Sequence, residues 1–528
     1  MNYPKSLTGL ALLAAATGCS KRQEAQPNIV FFLVDDMGWV DSEVAYGTEV
    51  YPNNQRFNTP NMRRLAEQGM VMGNAYACAV STPTRTSMMT GMNAAHTRIT
   101  NWTSIVKDTP SDATGGALSM EINRTGAEAP SGELLRPDWN INGISPVEGV
   151  PYTQVCTPMA QLLKDAGYYT VHAGKAHFAS AGTPAANVYN LGFCVNVGGT
   201  MAGQPRSYQG RDNYGNTPEL WNHCAVQNMT EYYGTETHLT EALTREALKT
   251  LDYPVSHGQP FYLYLAHYAT HTPIQPDERF VQKYRDAGMD EGQARYASMV
   301  EGVDKSLGDV LDYLEAHGLS ENTIIIFMTD NGGNAENKQK GGIPHTHNKP
   351  LREGKGSCYE GGIRVPLMFC WPGKVAAGSR CEVPVICEDL FPTILSMAGV
   401  RNYETAQDVD GQDLVPLITR GEGVSAEREL VFHYPHKWKP YDLVDIDYLS
   451  AMVKGDWKIV YRMLTDEVEL YNLREDIGEE NNVAAQYPEK AAEMARGLSD
   501  KLRGWNAAMP VVAATGEAVP MPDHLFEK

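Results

Sequence analysis

Asn28-Ile29-Val30-Phe31-Phe32-Leu33-Val34-Asp35-Asp36 reads as a buried strand that delivers two adjacent carboxylates at its C-terminal end. Continuous apolar character without alternation, bounded by Pro27, is what a central strand of a parallel sheet requires, because both of its faces are covered. In open α/β sheets ligands gather at the carboxyl ends of strands, so the position of the aspartates carries functional weight. Three further apolar runs end in the same way. Residues 168–171 lead into His172-Ala173-Gly174-Lys175-Ala176-His177, residues 261–266 into His267-Tyr268-Ala269-Thr270-His271-Thr272-Pro273, and residues 323–328 into Thr329-Asp330-Asn331-Gly332-Gly333.

Helical patterns separate these runs: one opened by Asn58-Thr59-Pro60 and ending near Gly69, then residues 158–167, 240–251, 296–316 and 389–398, with a further strand at 367–370. The predicted fold is α/β, a large mixed, mostly parallel sheet flanked by helices, over residues 27–425. Beyond it, short strands at 429–433, 451–453, 457–461 and 468–471 and a helix over 488–505 predict a smaller C-terminal α+β subdomain, residues 426–528, with an antiparallel sheet. Two polar, Gly-rich stretches interrupt the pattern. Residues 96–155 are expected to form a lid or specificity insertion, since a structureless loop of that length is unusual in a compact domain; residues 182–234 carry Arg206 and Arg211 among aromatics.

Across 528 residues, 64 acidic side chains oppose 44 basic ones for a net charge of -20, which excludes a general affinity for nucleic acid or anionic lipid. An anionic substrate would need a local positive site. At the N-terminus Lys5, an apolar run over 7–16 and Ala16-Thr17-Gly18-Cys19 predict a lipoprotein-type signal peptide over 1–19, with Cys19 carrying lipid. Residues 20–26 would then be a tether, and the protein would be exported to the periplasm or cell surface, meeting the membrane only through that anchor. Of the 9 cysteines none has zinc-site spacing; Cys381 with Cys387 is one candidate pair whose connectivity spacing leaves open.

Asp35, Asp36, Asp330 and Asn331 are hard oxygen ligands lacking Cys or His, a set that suits calcium or magnesium better than zinc. Lys175, His177, His271 and Lys355 complement them, two lysines to offset an oxyanion and two histidines to move protons. Ser81-Thr82-Pro83-Thr84-Arg85, with Thr90-Gly91 behind it, places a serine at a helix start and an arginine one turn on. On that segment alone, capping explains the serine.

Taken together, these blocks resemble a type I (formylglycine-dependent) sulfatase of the alkaline phosphatase superfamily, in its serine form and similar to bacterial carbohydrate sulfatases. The matching blocks run in the family's order from Asp35-Asp36 through Ser81–Gly91, Gly174–His177, Thr270–Pro273 and Asp330–Gly333 to Gly354-Lys355-Gly356. Ala176 departs from it, where family members usually carry tryptophan. The resemblance implies that Ser81 is oxidised to formylglycine by a radical S-adenosylmethionine maturase before export. It also implies that residue 81 shares a metal with the four oxygen ligands and Arg85 holds the attacking hydroxyl. Lys175 and Lys355 would hold sulfate oxygens, His271 would protonate the leaving oxygen, and His177 would take the proton of the second hydroxyl so that sulfate is expelled. The expected substrate is a sulfated carbohydrate, attacked from the chain end at a galactose- or N-acetylgalactosamine-type sulfate. Arg98, His345, His347, Arg352, His433 and His436 are candidates for lining the sugar pocket. A phosphodiesterase or phosphonate hydrolase, and a non-catalytic glycan-binding lipoprotein, are the alternatives.

Overall fold

The computed structural model describes residues 26–111, 128–129, 132–334, 347–437 and 447–527. The signal segment with Cys19, the tether up to residue 25, and His345 lie outside the described residues. Asn28–Val34 (β1) is buried along its whole length at the middle of an eight-stranded sheet. The other members are Met70–Met72 (β2), Tyr169–Gly174 (β3), Val195–Val197 (β4), Phe261–Ala266 (β5), Thr323–Thr329 (β6), Leu367–Cys370 (β7) and Ser379–Cys381 (β8), in the spatial order β8-β2-β7-β6-β1-β5-β3-β4. Strands β6, β1, β5, β3 and β4 are parallel to one another, whereas β7 is antiparallel to both β6 and β2.

The helices that frame this sheet are Pro60–Gln68 (α1), Ser81–Thr90 (α2), Leu239–Ser256 (α3), Glu291–Ala316 (α4) and Leu390–Met397 (α5). Alternation along β1 decides which helix lies where. Ile29, Phe31 and Leu33 enter one core with Met88 and Met89 of α2 and with α5, while Val30, Phe32 and Val34 enter the other with α1, α3 and α4. Each such side chain contributes roughly 1.5–3 kcal/mol by leaving water. Gly91 ends α2 in the left-handed conformation at φ 72, where its N–H bonds the Ser87 carbonyl.

Glu429–Tyr434 (β9), Leu449–Lys454 (β10), Trp457–Arg462 (β11) and Glu467–Asn472 (β12) form an antiparallel sheet in sequential order. Leu430, Phe432 and Tyr434 point into the α2 core, and Val431 points instead toward the helix Pro488–Gly504 (α6). A buried ion cluster ties this sheet to the main body: Lys458 Nζ lies 2.9 Å from Glu360 Oε1 and 2.7 Å from Glu479 Oε1, all three residues being essentially inaccessible.

The strand expected over 168–171 continues to Gly174. His172 joins it because its ring packs against Phe178, Phe193 and Tyr264, and burial pushes its pKa down to about 3, so it behaves as a neutral core residue. The described part of the 96–155 stretch is packed, not loose. Ile99, Thr100, Asn101, Asn142 and Ile144 are buried, and the Asn142 amide satisfies Asp108 and the Pro151 carbonyl. Cys387 lies 3.9 Å from Cys78, and both it and Cys381, half-exposed in β8, are free thiols, so the candidate pair is not bridged. Among the described residues no helix is long and apolar enough to cross a membrane.

Candidate active site

The register of the sheet aligns the polar ends of four consecutive strands. Val34 of β1 is paired with Thr329 of β6, Leu33 with Ala266 of β5, and Ala266 with Gly174 of β3, so the residues that follow each emerge side by side. Backbone bonds lock the exits: Asp330 N–H donates to the Val34 carbonyl at 3.1 Å, Lys175 N–H to Ala266 at 2.7 Å and Thr270 N–H to Asp35 at 2.6 Å. Asp36 takes a positive φ of 60, and its N–H donates to Asp330 Oδ1 at 3.3 Å while its Oδ1 accepts from Asn331 and Lys355.

Helix α2 aims its first residue into this cluster. Val80, not Ser81, is the N-cap, and no side chain caps the helix. The Ser81 hydroxyl donates to Asp330 Oδ2 at 2.5 Å, with Asp35 Oδ1 at 3.3 Å, and accepts from Lys175 Nζ at 2.8 Å. The capping explanation for this serine is therefore set aside. One turn on, Arg85 bonds Asp330 Oδ2 through Nε at 3.0 Å and Nη2 at 2.8 Å, and its Nη1 donates to the Lys175 carbonyl at 2.9 Å. Lys175 Nζ donates to Asp35 Oδ2 at 2.5 Å and Lys355 Nζ to Asp36 Oδ1 at 2.7 Å.

Three carboxylates and three cations thus share a site that excludes water. Burial and the neighbouring Asp330 push Asp35 up to about 7 against the pull of Lys175. Burial would also raise Asp330, but Arg85 and Lys175 outweigh it and hold the group below the usual carboxylate range. Lys175 is lowered by burial, with Asp35 partly compensating. Lys355 is raised, because its three carboxylate neighbours overcome burial.

Asp35, Asp36 and His271 bring three ligand atoms within 4.8 Å of one another. The Asn331 amide donates to Asp36 Oδ1 at 2.8 Å, and Asn331 Oδ1 is buried without a partner among the described residues. An orphaned buried acceptor beside three carboxylates suits a hard cation with oxygen ligands, so these residues fit the metal that the sequence implies.

The two histidines sit at different depths. His177 is buried, with Nε2 3.3 Å from the Thr103 carbonyl, and burial together with Lys175 holds its pKa well below the usual value. His271 Nε2 lies 3.7 Å from Asp36 Oδ2, and its side chain, 17% exposed, marks the mouth of the site. Burial and Lys355 push it down to about 3.

The candidate sugar-pocket residues are dispersed. Both ring nitrogens of His433 have protein partners, Ser450 Oγ at 2.6 Å and the Ala508 carbonyl at 3.0 Å. Arg352 stacks on Tyr359 and bonds Tyr471. His347 Nδ1 is 3.1 Å from Asp41 Oδ1, His436 Nε2 is 2.8 Å from Thr100 Oγ1, and Arg98 donates to the Asp138 carbonyl. Sequence reasoning missed Thr103, whose backbone carbonyl orients His177 and leaves no motif; Thr272, inside the quoted Thr270–Pro273 block, bonds His271 Nδ1 through its hydroxyl.

Residues 27–400 match the family model described as Sulfatase. The chain belongs to the sulfatase family. Residues 354–507 also match the model for the C-terminal region of N-sulphoglucosamine sulphohydrolase. This sulfatase is 28% identical to a sulfatase of Formosa agariphila, over 97% of this chain and 95% of that protein. It is 26% identical to the N-acetylgalactosamine-6-O-sulfatase of Bacteroides thetaiotaomicron, over 92% and 96% of the two chains. Among solved structures, Ps i-CgsB in complex with k-i-k-neocarrahexaose superposes with a TM-score of 0.67 at 27% identity, over 90% of this chain and 93% of that one. The protein is accordingly a sulfuric ester hydrolase of α/β fold.

Proposed function

We propose that this sulfatase removes an O-sulfate from a sulfated glycan or monosaccharide, working from the chain end on galactose- or N-acetylgalactosamine-type sulfates, with residue 81 acting as formylglycine made from Ser81. The observation that carries this reading is the Ser81 hydroxyl, which is bound by Lys175 and Asp330 where a capping serine would bond its own helix. The sugar class rests on the relatives named for N-acetylgalactosamine 6-sulfates.

Hydrated formylglycine supplies two hydroxyls on one carbon, one to attack sulfur and one whose deprotonation lets the aldehyde re-form. Asp35, Asp36, Asp330, Asn331 and the oxygen of residue 81 would hold calcium, in preference to magnesium, which offsets oxyanion charge. Arg85 holds Asp330 and through it residue 81. Lys175 and Lys355 turn from their carboxylates to donate to sulfate oxygens, where fixed donors in a water-excluding site are worth most. His271, at the mouth, gives a proton to the leaving sugar oxygen, the negative charge of the bound sulfate offsetting Lys355 and favouring the protonated ring; His177, in the interior, takes one from residue 81. Residues 27–425 would form the catalytic body and 426–528 the subdomain covering it. A radical S-adenosylmethionine maturase would act on Ser81 before export, and Cys19 would anchor the mature chain through lipid.

The test is turnover by the matured protein of sulfated galactose and N-acetylgalactosamine against the matching phosphate esters. Sulfate release is expected. Preference for phosphate would favour a phosphodiesterase or phosphonate hydrolase, and binding without turnover a non-catalytic glycan receptor.

A further inference from the structure

Thr272 Oγ1 lies 3.1 Å from His271 Nδ1 and 3.2 Å from Gln204 Oε1, so the mouth of the site is bonded directly to the loop that follows β4. The same loop touches the deeper histidine. A Cβ on Gly203 would stand 2.7 Å from His177 Cε1, so only glycine lets the backbone lie against that ring. Beyond Gln204 a cavity of about 170 Å³ opens, walled by Gln204, Arg206, Asn222, Cys224, Thr272 and Pro273.

Its chemistry is unusual for this chain. Arg206 is exposed, and its place is fixed: its N–H bonds the Cys224 carbonyl at 2.7 Å and Nε the Leu220 carbonyl at 3.0 Å. These bonds engage the backbone and Nε and leave the Nη groups of the guanidinium directed to no acceptor among the described residues. In a protein of net charge -20, a pre-positioned guanidinium with free Nη donors stands out. Trp221, between Leu220, whose carbonyl holds Arg206, and Asn222 of the wall, is 61% exposed, a large flat apolar side chain whose ring centroid lies 5.8 Å from that of His223.

We propose that this hollow is a second sugar subsite that binds the residue next to the sulfated one, with Trp221 stacking on its ring and Arg206 binding an anionic group on it, a carboxylate or a second sulfate. The proposal rests on the sugar sulfatase reading and deepens it: the substrate is an acidic oligosaccharide, presented so that the leaving oxygen meets His271 and the neighbouring sugar lies over Thr272. Gln204 and Asn222 supply amide groups for its hydroxyls. The hollow reaches His271 through Thr272, which lines it, and its Gln204 follows Gly203, which lies against His177, so its occupation places the sulfate ester and excludes water from the mouth.

The experiment uses the matured full chain and three disaccharides that share a terminal 6-O-sulfated N-acetylgalactosamine and differ in the second sugar: glucuronic acid, a sulfated galactose, or galactose. The free 6-sulfated monosaccharide is the reference. One charge-assisted hydrogen bond corresponds to about a tenfold difference in binding, so KM for the two acidic disaccharides should lie about tenfold below that for the neutral one. Arg206→Gln should abolish that difference, and Trp221→Ala should raise KM for every disaccharide several-fold more than for the monosaccharide. Arg211→Gln, which removes a surface ion pair with Glu236, serves as the control for charge alone. Whichever acidic disaccharide is favoured tells carboxylate from sulfate. Equal KM values for all three disaccharides, or equal effects of Arg206→Gln on disaccharide and monosaccharide, would overturn the subsite. Calorimetric titration of Ser81→Ala protein with the same disaccharides separates the two readings. Acidic-selective binding without any wild-type turnover retains the subsite and removes the sulfatase reading of these sugars; turnover of the monosaccharide with no disaccharide selectivity does the reverse.

Discussion

Asn331 donates through its side-chain amide to Asp36 Oδ1 at 2.8 Å, and the oxygen of the same amide has no partner among the described residues. The pair joins the residues that follow β1 and β6, and it leaves one buried acceptor in the amide that bonds Asp36. Because a ligand that binds only the folded state adds stability with concentration, calcium should raise the melting temperature, by about 2.7 kcal/mol of stability at a hundredfold excess over its Kd. Asn331→Ala should shift the calcium titration to higher concentration by tenfold or so, the worth of one good ligand in an ion site. An unchanged titration would remove Asn331 from the ligand set.

His271 occupies the mouth and His177 the interior, and that difference in depth predicts a dependence on leaving group. His271→Ala should lower kcat on sugar sulfates by about 10²–10⁴-fold, the usual worth of a general acid. On para-nitrophenyl sulfate, whose leaving oxygen departs without a proton, the loss should be much smaller. Equal losses on both substrates would assign His271 to another task.

Lys458 is the cation between Glu360 and Glu479 and has no exposure to solvent. Removing it strands the buried Glu479 and leaves Glu360 with Arg364 alone, whose Nε lies 2.6 Å from Glu360 Oε2. Lys458→Met should cost about 3–5 kcal/mol, read as a lower denaturation midpoint. Adding Glu479→Gln, which removes the carboxylate left without a cation, should restore part of that loss. A single variant as stable as the wild type would show that the carboxylates hold protons instead of the lysine.

Glu388 gives the pH dependence of stability a sign. Burial and the adjacent Asp389 push its pKa up to about 7, from an ordinary value of 4.5, while Asn93 donates to it at 2.8 Å. Between those values the folded protein holds a proton that the unfolded chain has released, so stability falls as pH rises from about 4.5 to about 7. Glu388→Gln should flatten that segment of the curve. A wild-type curve already flat there would contradict the assignment.

Much of this was legible in the sequence, and the reasons are local. Parallel strands covered on both faces need unbroken apolar runs, so Asn28–Val34, Phe261–Ala266 and Thr323–Thr329 announced themselves, and the charged residues after them had to lie at the sheet's end. Strand order, which makes those ends adjacent, depends on packing between distant segments and leaves no periodicity. His172 shows the limit from the other side: a histidine at a strand's edge resembles a catalyst in the sequence, and only its aromatic surroundings reveal a core residue. Both ring nitrogens of His433 and Nη1 of Arg352 likewise have partners in the protein, which the sequence alone does not show. The hollow beside Thr272 escaped notice because it is assembled from three separate loop segments.

The central claim is that Ser81 is the precursor of the working nucleophile. Its most direct test is the mass of the peptide containing residue 81, from protein produced with a radical S-adenosylmethionine maturase, read alongside sulfate release. The account predicts a peptide lighter by two hydrogens, reactive toward aldehyde reagents, in proportion to activity. Full activity from protein whose residue 81 is wholly unmodified serine would contradict it.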